Sequence, residues 1–201
     1  MEKPFQLPGL HVYEYLLLLR IPGGLRQRIE AEREEIKRNY GLQQPEPGRP
    51  NIPLARFSMM KQSEDRMIQR LEKIAEGQKP FKAELKDYRG YPMHALLIEV
   101  LNQQKILDLI KGIKQVRKLM KDGREGPYFI NDPNIVLAGR LENDQYIAIM
   151  KEYEQRKFRD QFVIDSFLLL RRSKDEQLYT LVKEFNFQKV KERIKQPMLF
   201  S

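Results

Sequence analysis

The chain has 201 residues, of which 41% are hydrophobic and 32% charged, a composition typical of one folded domain. It contains no cysteine, which excludes disulfides, thiolate catalysis and cysteine-ligated zinc or iron–sulfur sites. The 37 lysines and arginines outnumber the 28 aspartates and glutamates, and the net charge of +9 favours an anionic partner such as RNA, a nucleotide or a phosphorylated metabolite.

The N-terminal residues lack the basic-then-apolar pattern of a signal peptide. The apolar run at residues 16–19 is far too short to span a bilayer. We therefore expect a cytoplasmic protein without a membrane partner. No long Ser/Gly or acidic tract is present, so most of the chain is expected to fold.

The first half of the chain predicts alternating strands and helices. Residues 12–21 are apolar, aromatic and bounded by Pro-Gly turns, which predicts a core strand. Residues 25–40 form a charged helix with a thin apolar stripe, expected on the outside of the domain and ended by Gly41. A strand at 51–60 and a helix at 63–77, capped by Ser63, follow. Residues 81–88 and 94–101 predict a hairpin.

The second half repeats this order of elements. A helix is predicted at 106–120, a strand at 134–141, a helix at 144–156, a buried strand at 162–171 and its hairpin partner at 178–187. The recurrence predicts an α+β fold with two pseudo-symmetric lobes, each an antiparallel-rich sheet with outer helices, around a central groove. We expect residues 1–201 to form one bilobal domain, with a basic tail at 188–201.

A short phrase occurs twice in the chain, at residues 50–57 and 133–141. Each copy is a Pro-Asn pair followed by an apolar run and an arginine, which is typical of a turn leading into a buried strand. Pro-Asn is common in turns, so chance similarity is the alternative. Because both copies occupy the same place in the order of elements, we expect both to border the groove.

Lysine and arginine also cluster in two segments, where they strengthen the prediction of an anionic partner. The first cluster lies on the predicted helix at 106–120 and just after it, and the second lies near the C-terminus. Their members are Lys111, Lys114, Arg117, Lys118, Lys121 and Arg124, and then Lys189, Lys191, Arg193 and Lys195. The alternative is an ordinary solvated basic surface.

The doubled phrase, within this order of elements, resembles the two-histidine phosphoesterase superfamily, which includes 2'-5' RNA ligases and cyclic nucleotide phosphodiesterases. The resemblance covers residues 12–187. In that family each lobe contributes a His-x-Thr/Ser motif on a strand that lines the groove. The resemblance implies that one imidazole removes a proton from the attacking oxygen, that the other protonates the leaving oxygen, and that the hydroxyls bind phosphate oxygens.

All four diagnostic positions are changed in this chain. Asn51 and Asn134 stand at the histidine positions, and Pro53 and Val136 at the hydroxyl positions. An amide can donate an N–H to an anion but has no proton to exchange near neutral pH. Because positioned proton transfer typically contributes about 10²–10⁴-fold, we expect this catalysis to be lost.

The two histidines of the chain, His11 and His94, lie outside these positions and are expected to be structural or surface residues. They are distant in sequence and share no carboxylate pattern, so no metal or other cofactor is expected. Five tyrosines have two alternative roles, either stacking on bases near the groove or packing in the core: Tyr13, Tyr15, Tyr88, Tyr91 and Tyr128.

Three hypotheses follow. The first is a non-catalytic protein that binds RNA, a nucleotide or another phosphorylated ligand through Asn51, Arg56, Asn134 and Arg140, although strand alternation alone does not show whether the arginines face the groove. The second is an active 2',3'-cyclic phosphodiesterase or 2'-5' RNA ligase that uses other groove residues. The third is a protein-interaction role with a filled cleft, which the apolar Pro53 and Val136 favour.

Overall fold

The computed structural model describes residues 11–42, 48–92, 94–121 and 126–188. Within these ranges the chain forms nine strands and four helices. In chain order they are β1 (Val12–Arg20), α1 (Gly23–Tyr40), β2 (Asn51–Met60), α2 (Glu64–Glu76), β3 (Phe81–Tyr91), β4 (Ala95–Leu101), α3 (Gln104–Ile113), β5 (Tyr128–Phe129), β6 (Ile135–Gly139), α4 (Asn143–Tyr153), β7 (Arg159–Ile164), β8 (Ser166–Arg172) and β9 (Thr180–Asn186).

The strands form two antiparallel sheets, which confirms the predicted α+β class. Sheet A has the order β5-β2-β1-β8-β9, and sheet B has the order β6-β4-β3-β7. Every pair of neighbouring strands is antiparallel. Each sheet takes strands from both halves of the chain, because β8 and β9 return to complete the sheet that β1 and β2 begin.

Helices cover one face of each sheet. The apolar side of α2 and α3 enters the core beneath sheet A, where α2 contacts β9 and α3 contacts β2. In the same way α1 contacts β6 and α4 contacts β4 of sheet B. Helix α4 also packs closely on β3, where a Cβ added at Gly90 would clash with the Tyr146 hydroxyl. We call the opposite face of each sheet its open face.

The predicted single strand at 162–171 is wrong. The chain instead forms β7 and β8, which pair with β3 in sheet B and with β1 in sheet A. Asp165 lies between them, and its carbonyl accepts a hydrogen bond from the Phe187 amide at 2.7 Å. Both strands carry apolar residues up to this crossing, so the hydrophobic run in the sequence hides the change of sheet.

Two further elements differ from the sequence prediction. The helix predicted at 106–120 ends as an α-helix at Ile113 and continues as a 3₁₀ turn, Lys114–Val116, in which the apolar side stays buried. Strand β5 has only two residues, too few to show a hydrophobic period. The C-terminal basic cluster, Lys189, Lys191, Arg193 and Lys195, and Arg124 lie outside the described residues.

Candidate functional site

A bulge in β2 determines which residues of the first phrase reach the open face of sheet A. Leu17 of β1 pairs with Ala55 and Leu18 pairs with Pro53, so Leu54 is the extra residue. Directly opposed side chains of an antiparallel pair lie on the same face. Pro53 therefore lies on the open face with Leu18, whereas Leu54 and Ala55 both point into the core.

Because of this bulge, Arg56 also lies on the open face, opposite Leu16 of β1. It belongs to a row of side chains that crosses all five strands of sheet A. The row is Tyr128, Arg56, Leu16, Leu170 and Leu181. The strand register thus places Arg56 on the side of sheet A away from the core.

The centre of the open face of sheet A is an apolar floor. Leu18 and Leu168 pair with each other beside the row, and their exposed fractions are 5% and 8%. Both lie outside the main hydrophobic core. The open face of sheet B resembles it, since Leu97 is also buried outside the main core and pairs with Val136.

Ion pairs surround the floor, but Arg56 takes no part in them. Glu184 accepts hydrogen bonds from Arg20 at 2.9 Å and from Ser166 at 2.8 Å. On the other side, Arg172 donates to Glu14 at 2.7 Å. Arg56 is exposed and forms no ion pair with the described residues, so its guanidinium is available to an anion.

Two tyrosines lie near Arg56. Tyr128, on β5, pairs directly with Arg56 of β2 and is 60% exposed. The second is Tyr179. Burial raises the pKa of its phenol, and the positive charges of Arg172 and Arg56 are near enough to oppose this rise in part. An exposed aromatic ring and an unpaired guanidinium are therefore adjacent on one face.

Asn51, which the resemblance aligns with the first histidine, lies half-buried at the start of β2 on the open face, opposite Arg20. Its amide nitrogen donates to the Arg49 carbonyl at 2.8 Å. This contact stabilises the turn that leads into β2. The Asn51 side chain thus lies at the open face, but its amide nitrogen is hydrogen-bonded to the adjacent turn.

Asn134, which the resemblance aligns with the second histidine, is part of the scaffold. Its side chain is buried, and its Oδ1 accepts hydrogen bonds from the Val100 amide at 2.9 Å and from Gln103 Nε2 at 3.2 Å. Its Nδ2 donates to Asp132 Oδ1 at 2.7 Å. Asn134 therefore joins the start of β6 to β4, and its polar atoms are already engaged.

The carboxyl group of Asp132 accepts hydrogen bonds in this network, which favour its ionised form. Burial raises its pKa, but hydrogen bonds from Arg89, Gln103 and Asn134 outweigh burial and lower the pKa below its usual value. Sequence analysis missed the group of Arg89, Gln103 and Asp132. The available signal was the spacing of Asp132 two residues before Asn134, which allows a local side-chain hydrogen bond.

Val136 and Arg140 occupy the remaining positions of the second phrase. The half-buried Val136 side chain lies on the open face of sheet B, while its carbonyl accepts hydrogen bonds from Arg33 of α1 at 2.6 and 3.1 Å. Arg140 follows β6, is exposed and has a φ of 56°. The strands of the two phrases are neighbours, since β2 contacts β6.

The structure places neither histidine at these positions. His11 adjoins Val12, which pairs with Met60 at the end of β2 far from Asn51. His94 adjoins Ala95, which pairs with Gly139 at the end of β6 far from Asn134. In the described ranges, no group of three or more His, Asp or Glu side chains is arranged to hold a metal ion.

The other predicted tyrosines divide between core and surface. Tyr15 is fully buried, and Tyr88 packs edge-on against Tyr153 at a centroid distance of 4.9 Å. Tyr13 lies beneath the Arg171 guanidinium. Tyr91 is 55% exposed and pairs with Ala95 in sheet B. Tyr91 and Tyr128 thus remain as candidates for stacking.

No protein-family model matches the chain, and no curated protein sequence is significantly similar to it. Among the helices of the described ranges, none has both the length and the hydrophobicity needed to cross a bilayer.

Solved structures do match. E. coli LigT in complex with 3'-AMP has a TM-score of 0.65 and 14% identity, over 88% of this chain and 99% of LigT. LigT has also been solved with ATP and with NADP+. TT0787 of Thermus thermophilus has a TM-score of 0.61 and 17% identity, over 87% of this chain and 98% of its own. The chain therefore has the fold of the two-histidine phosphoesterases, to which LigT, a 2'-5' RNA ligase, belongs.

Proposed function

We propose that the protein binds a nucleotide, or the phosphorylated end of an RNA, on the open face of sheet A and does not catalyse a reaction on it. The observation that carries this proposal is the adjacency of Arg56 and Tyr128. A guanidinium binds phosphate through paired N–H donors, and an exposed aromatic ring stacks on a base. Arg140, at the end of the second phrase, is a further candidate contact for phosphate.

The solved LigT complexes support the same class of ligand. LigT shares the fold and has been solved with 3'-AMP, ATP and NADP+, each of which combines phosphate with an adenine base. A nucleotide also suits the composition of the open face, where a cation and an aromatic ring adjoin an apolar floor. The buried leucines supply a surface for the uncharged part of the ligand.

The absence of catalysis rests on the four changed positions. None of Asn51, Pro53, Asn134 and Val136 carries a group that exchanges protons near neutral pH. The Asn134 amide is further committed to Val100, Gln103 and Asp132. Proton transfer to or from a bound phosphodiester would need another group in reach, and His11 and His94 lie before β1 and β4, away from Asn51 and Asn134.

Isothermal titration with 3'-AMP tests the binding. We expect Arg56→Gln and Tyr128→Leu each to raise the Kd about tenfold, since a contact of this kind is worth about 1.4 kcal/mol. Arg38→Gln, a matched loss of an exposed arginine on α1, should leave the Kd unchanged. Equal affinities for the wild-type, Arg56→Gln and Tyr128→Leu proteins would show that the nucleotide does not bind here.

The exposed end of the row that crosses sheet A favours a second candidate function, the binding of a protein partner that covers the apolar floor. Leu181 lies at this end and is 58% exposed. Peptides selected from a display library against the wild-type protein should then lose binding to Leu181→Glu. The same variant should leave the affinity for 3'-AMP unchanged, because Arg56 and Tyr128 lie at the opposite end of the row.

A further inference from the structure

A second cationic surface lies on the other side of sheet A from the proposed nucleotide site. Helices α2 and α3 pack on the core face of this sheet through Met67, Leu71, Ile106 and Leu109. An open cleft of about 630 Å³ lies on their outer surfaces and on the residues that follow each helix. We call it the α2–α3 cleft. Because it lies on the helical layer, it is separate from the open face.

Four basic side chains line the α2–α3 cleft. Arg66, Arg70 and Lys73 come from α2, and Lys118 comes from the segment after α3. The three α2 residues are spaced by four and three positions, which places them in a row about 10 Å long on one side of the helix. Gln78 and Gln115 add polar groups, and no carboxylate is part of the lining.

These cations are not neutralised by the described part of the chain. Arg66, Arg70, Lys73 and Lys118 are all exposed and form no ion pair with the described residues. The nearby carboxylate of Glu72 is instead paired with Lys183 at 2.9 Å. The charge of the cleft is therefore available to a partner.

The basic surface continues beyond the cleft. Lys111, Lys114, Arg117 and Lys121 are exposed on α3 and the residues that follow, and none forms an ion pair with the described residues. Of the first basic cluster of the sequence, Lys118 lines the cleft together with the row on α2, and Lys114 Nζ lies 5.6 Å from the centroid of the Phe129 ring. A band of this kind matches a partner with repeated negative charges better than one with a single anionic group.

We propose that the α2–α3 cleft and the basic surface beside it bind the phosphate backbone of single-stranded RNA. The lining contains Ile74, Val116 and Leu119 but no aromatic ring on which a base could stack. Binding there is consequently independent of base sequence. A lipid surface fits less well, since the exposed large hydrophobic residues of the described ranges all lie outside α2 and α3, whose apolar sides are buried in the core.

Fluorescence anisotropy with a labelled oligouridylate tests this proposal. The triple variant Arg66→Gln, Lys73→Gln, Lys118→Gln removes three charges from the cleft. The matched control Arg38→Gln, Lys151→Gln, Lys174→Gln removes three exposed charges elsewhere. We expect the cleft variant to lower the log–log slope of affinity against salt by about 2, at about 0.7 per phosphate contact, and the control to leave it unchanged.

The contradicting outcomes are equally specific. Equal loss in both triple variants would show that binding follows net charge alone. Wild-type protein that fails to bind the oligouridylate, or that binds phosphatidylserine vesicles or polyglutamate more tightly, would also overturn the proposal. Titration of the cleft variant with 3'-AMP keeps the two sites distinct, because its nucleotide affinity should equal that of the wild type whether or not RNA binds.

Discussion

The side chain of Asn134 is part of the scaffold of sheet B. Its buried side-chain oxygen accepts a hydrogen bond from the Val100 amide, and its side-chain nitrogen donates a hydrogen bond to Asp132. Asn51, at the corresponding position of the first phrase, contacts only a local carbonyl among the described residues. The two asparagines therefore differ in burial and in partners, although the sequence presents them as equivalent.

This difference predicts unequal effects on stability. Asn134→Ala leaves the buried Val100 amide without its acceptor and should lower the free energy of unfolding by about 2 kcal/mol. Asn51→Ala, in a half-buried turn, should cost less than about 1 kcal/mol. Urea denaturation measures both values. Equal losses would contradict the scaffold role of Asn134.

Glu64 is a second residue whose contacts fix a local arrangement. Its buried carboxylate accepts hydrogen bonds from Tyr15 at 2.8 Å and from Arg171 at 2.8 and 3.1 Å, and also from Lys61. Burial raises its pKa, but these donors outweigh burial and lower the pKa below its usual value. Burial, together with Glu64, raises the pKa of the Tyr15 phenol.

The direction of this shift sets a pH dependence. Because the folded-state pKa of Glu64 is lowered, its contribution to stability is complete above the unfolded pKa of about 4.3 and disappears as the pH falls through the folded value. We expect Glu64→Gln to be destabilised at pH 7 by about 2 kcal/mol and to lose less stability on acidification. Unfolding curves at several pH values, with Glu76→Gln as the exposed control, measure this. Parallel acid profiles for the wild type and Glu64→Gln would contradict it.

At the level of strands and helices, the sequence predicted most of the elements and missed how some are joined. The doubled phrase correctly marked β2 and β6, because Pro-Asn turns and apolar runs are local signals. The bulge at Leu54 carries no comparable signal, although it determines the face on which Arg56 lies. Likewise the crossing at Asp165 depends on pairing with β1 and β3, which are distant in sequence.

The site itself was predictable in part. The positions of Asn51, Pro53 and Val136 on the open faces follow from alternation once each strand is paired. The inward use of the Asn134 side chain does not follow, since it depends on Val100 of another strand. The row from Tyr128 to Leu181 was also hidden, because its five members come from five strands.

Helix α1 stabilises the edge of sheet B through one side chain. Arg33 is buried and donates to the carbonyls of Val136 and Gly48. The Val136 contact satisfies a carbonyl of β6, which is the edge strand of sheet B. The helix that the sequence predicted as external thus supports the strand of the second phrase.

Replacement of this guanidinium tests the role of α1. Arg33→Met keeps the length and the apolar stem of the side chain but removes its donors, so the free energy of unfolding should fall by about 2 kcal/mol. Arg38→Met, on the exposed side of the same helix, should change it by less than about 0.5 kcal/mol. Thermal and urea unfolding give both values, and similar effects for the two variants would argue against a specific contact.

For the molecule as a whole, the excess of positive charge is unevenly distributed. On the open face of sheet A, Arg20 and Arg172 are paired with carboxylates, and Arg56 remains available. On the helical layer, the α2–α3 cleft presents four cations without described ion-pair partners. The net charge of +9 is therefore consistent with two separate anion-binding surfaces on opposite sides of sheet A.

The fold alone does not determine the reaction, since one architecture can host many different functions. The shared fold with LigT makes a nucleotide the first ligand to examine. The proposal adds that this ligand is neither hydrolysed nor ligated, because Asn51, Pro53, Asn134 and Val136 carry no group that exchanges protons near neutral pH. Binding and turnover must therefore be observed together.

Phosphorus NMR of a 2',3'-cyclic nucleotide during titration with the protein measures binding and turnover in a single experiment. We predict that the cyclic phosphate resonance shifts or broadens in a saturable way, less so with Arg56→Gln, and that no phosphomonoester resonance appears on prolonged incubation. A growing monoester resonance would contradict the absence of catalysis, and an unchanged cyclic phosphate resonance at high protein concentration would contradict the binding.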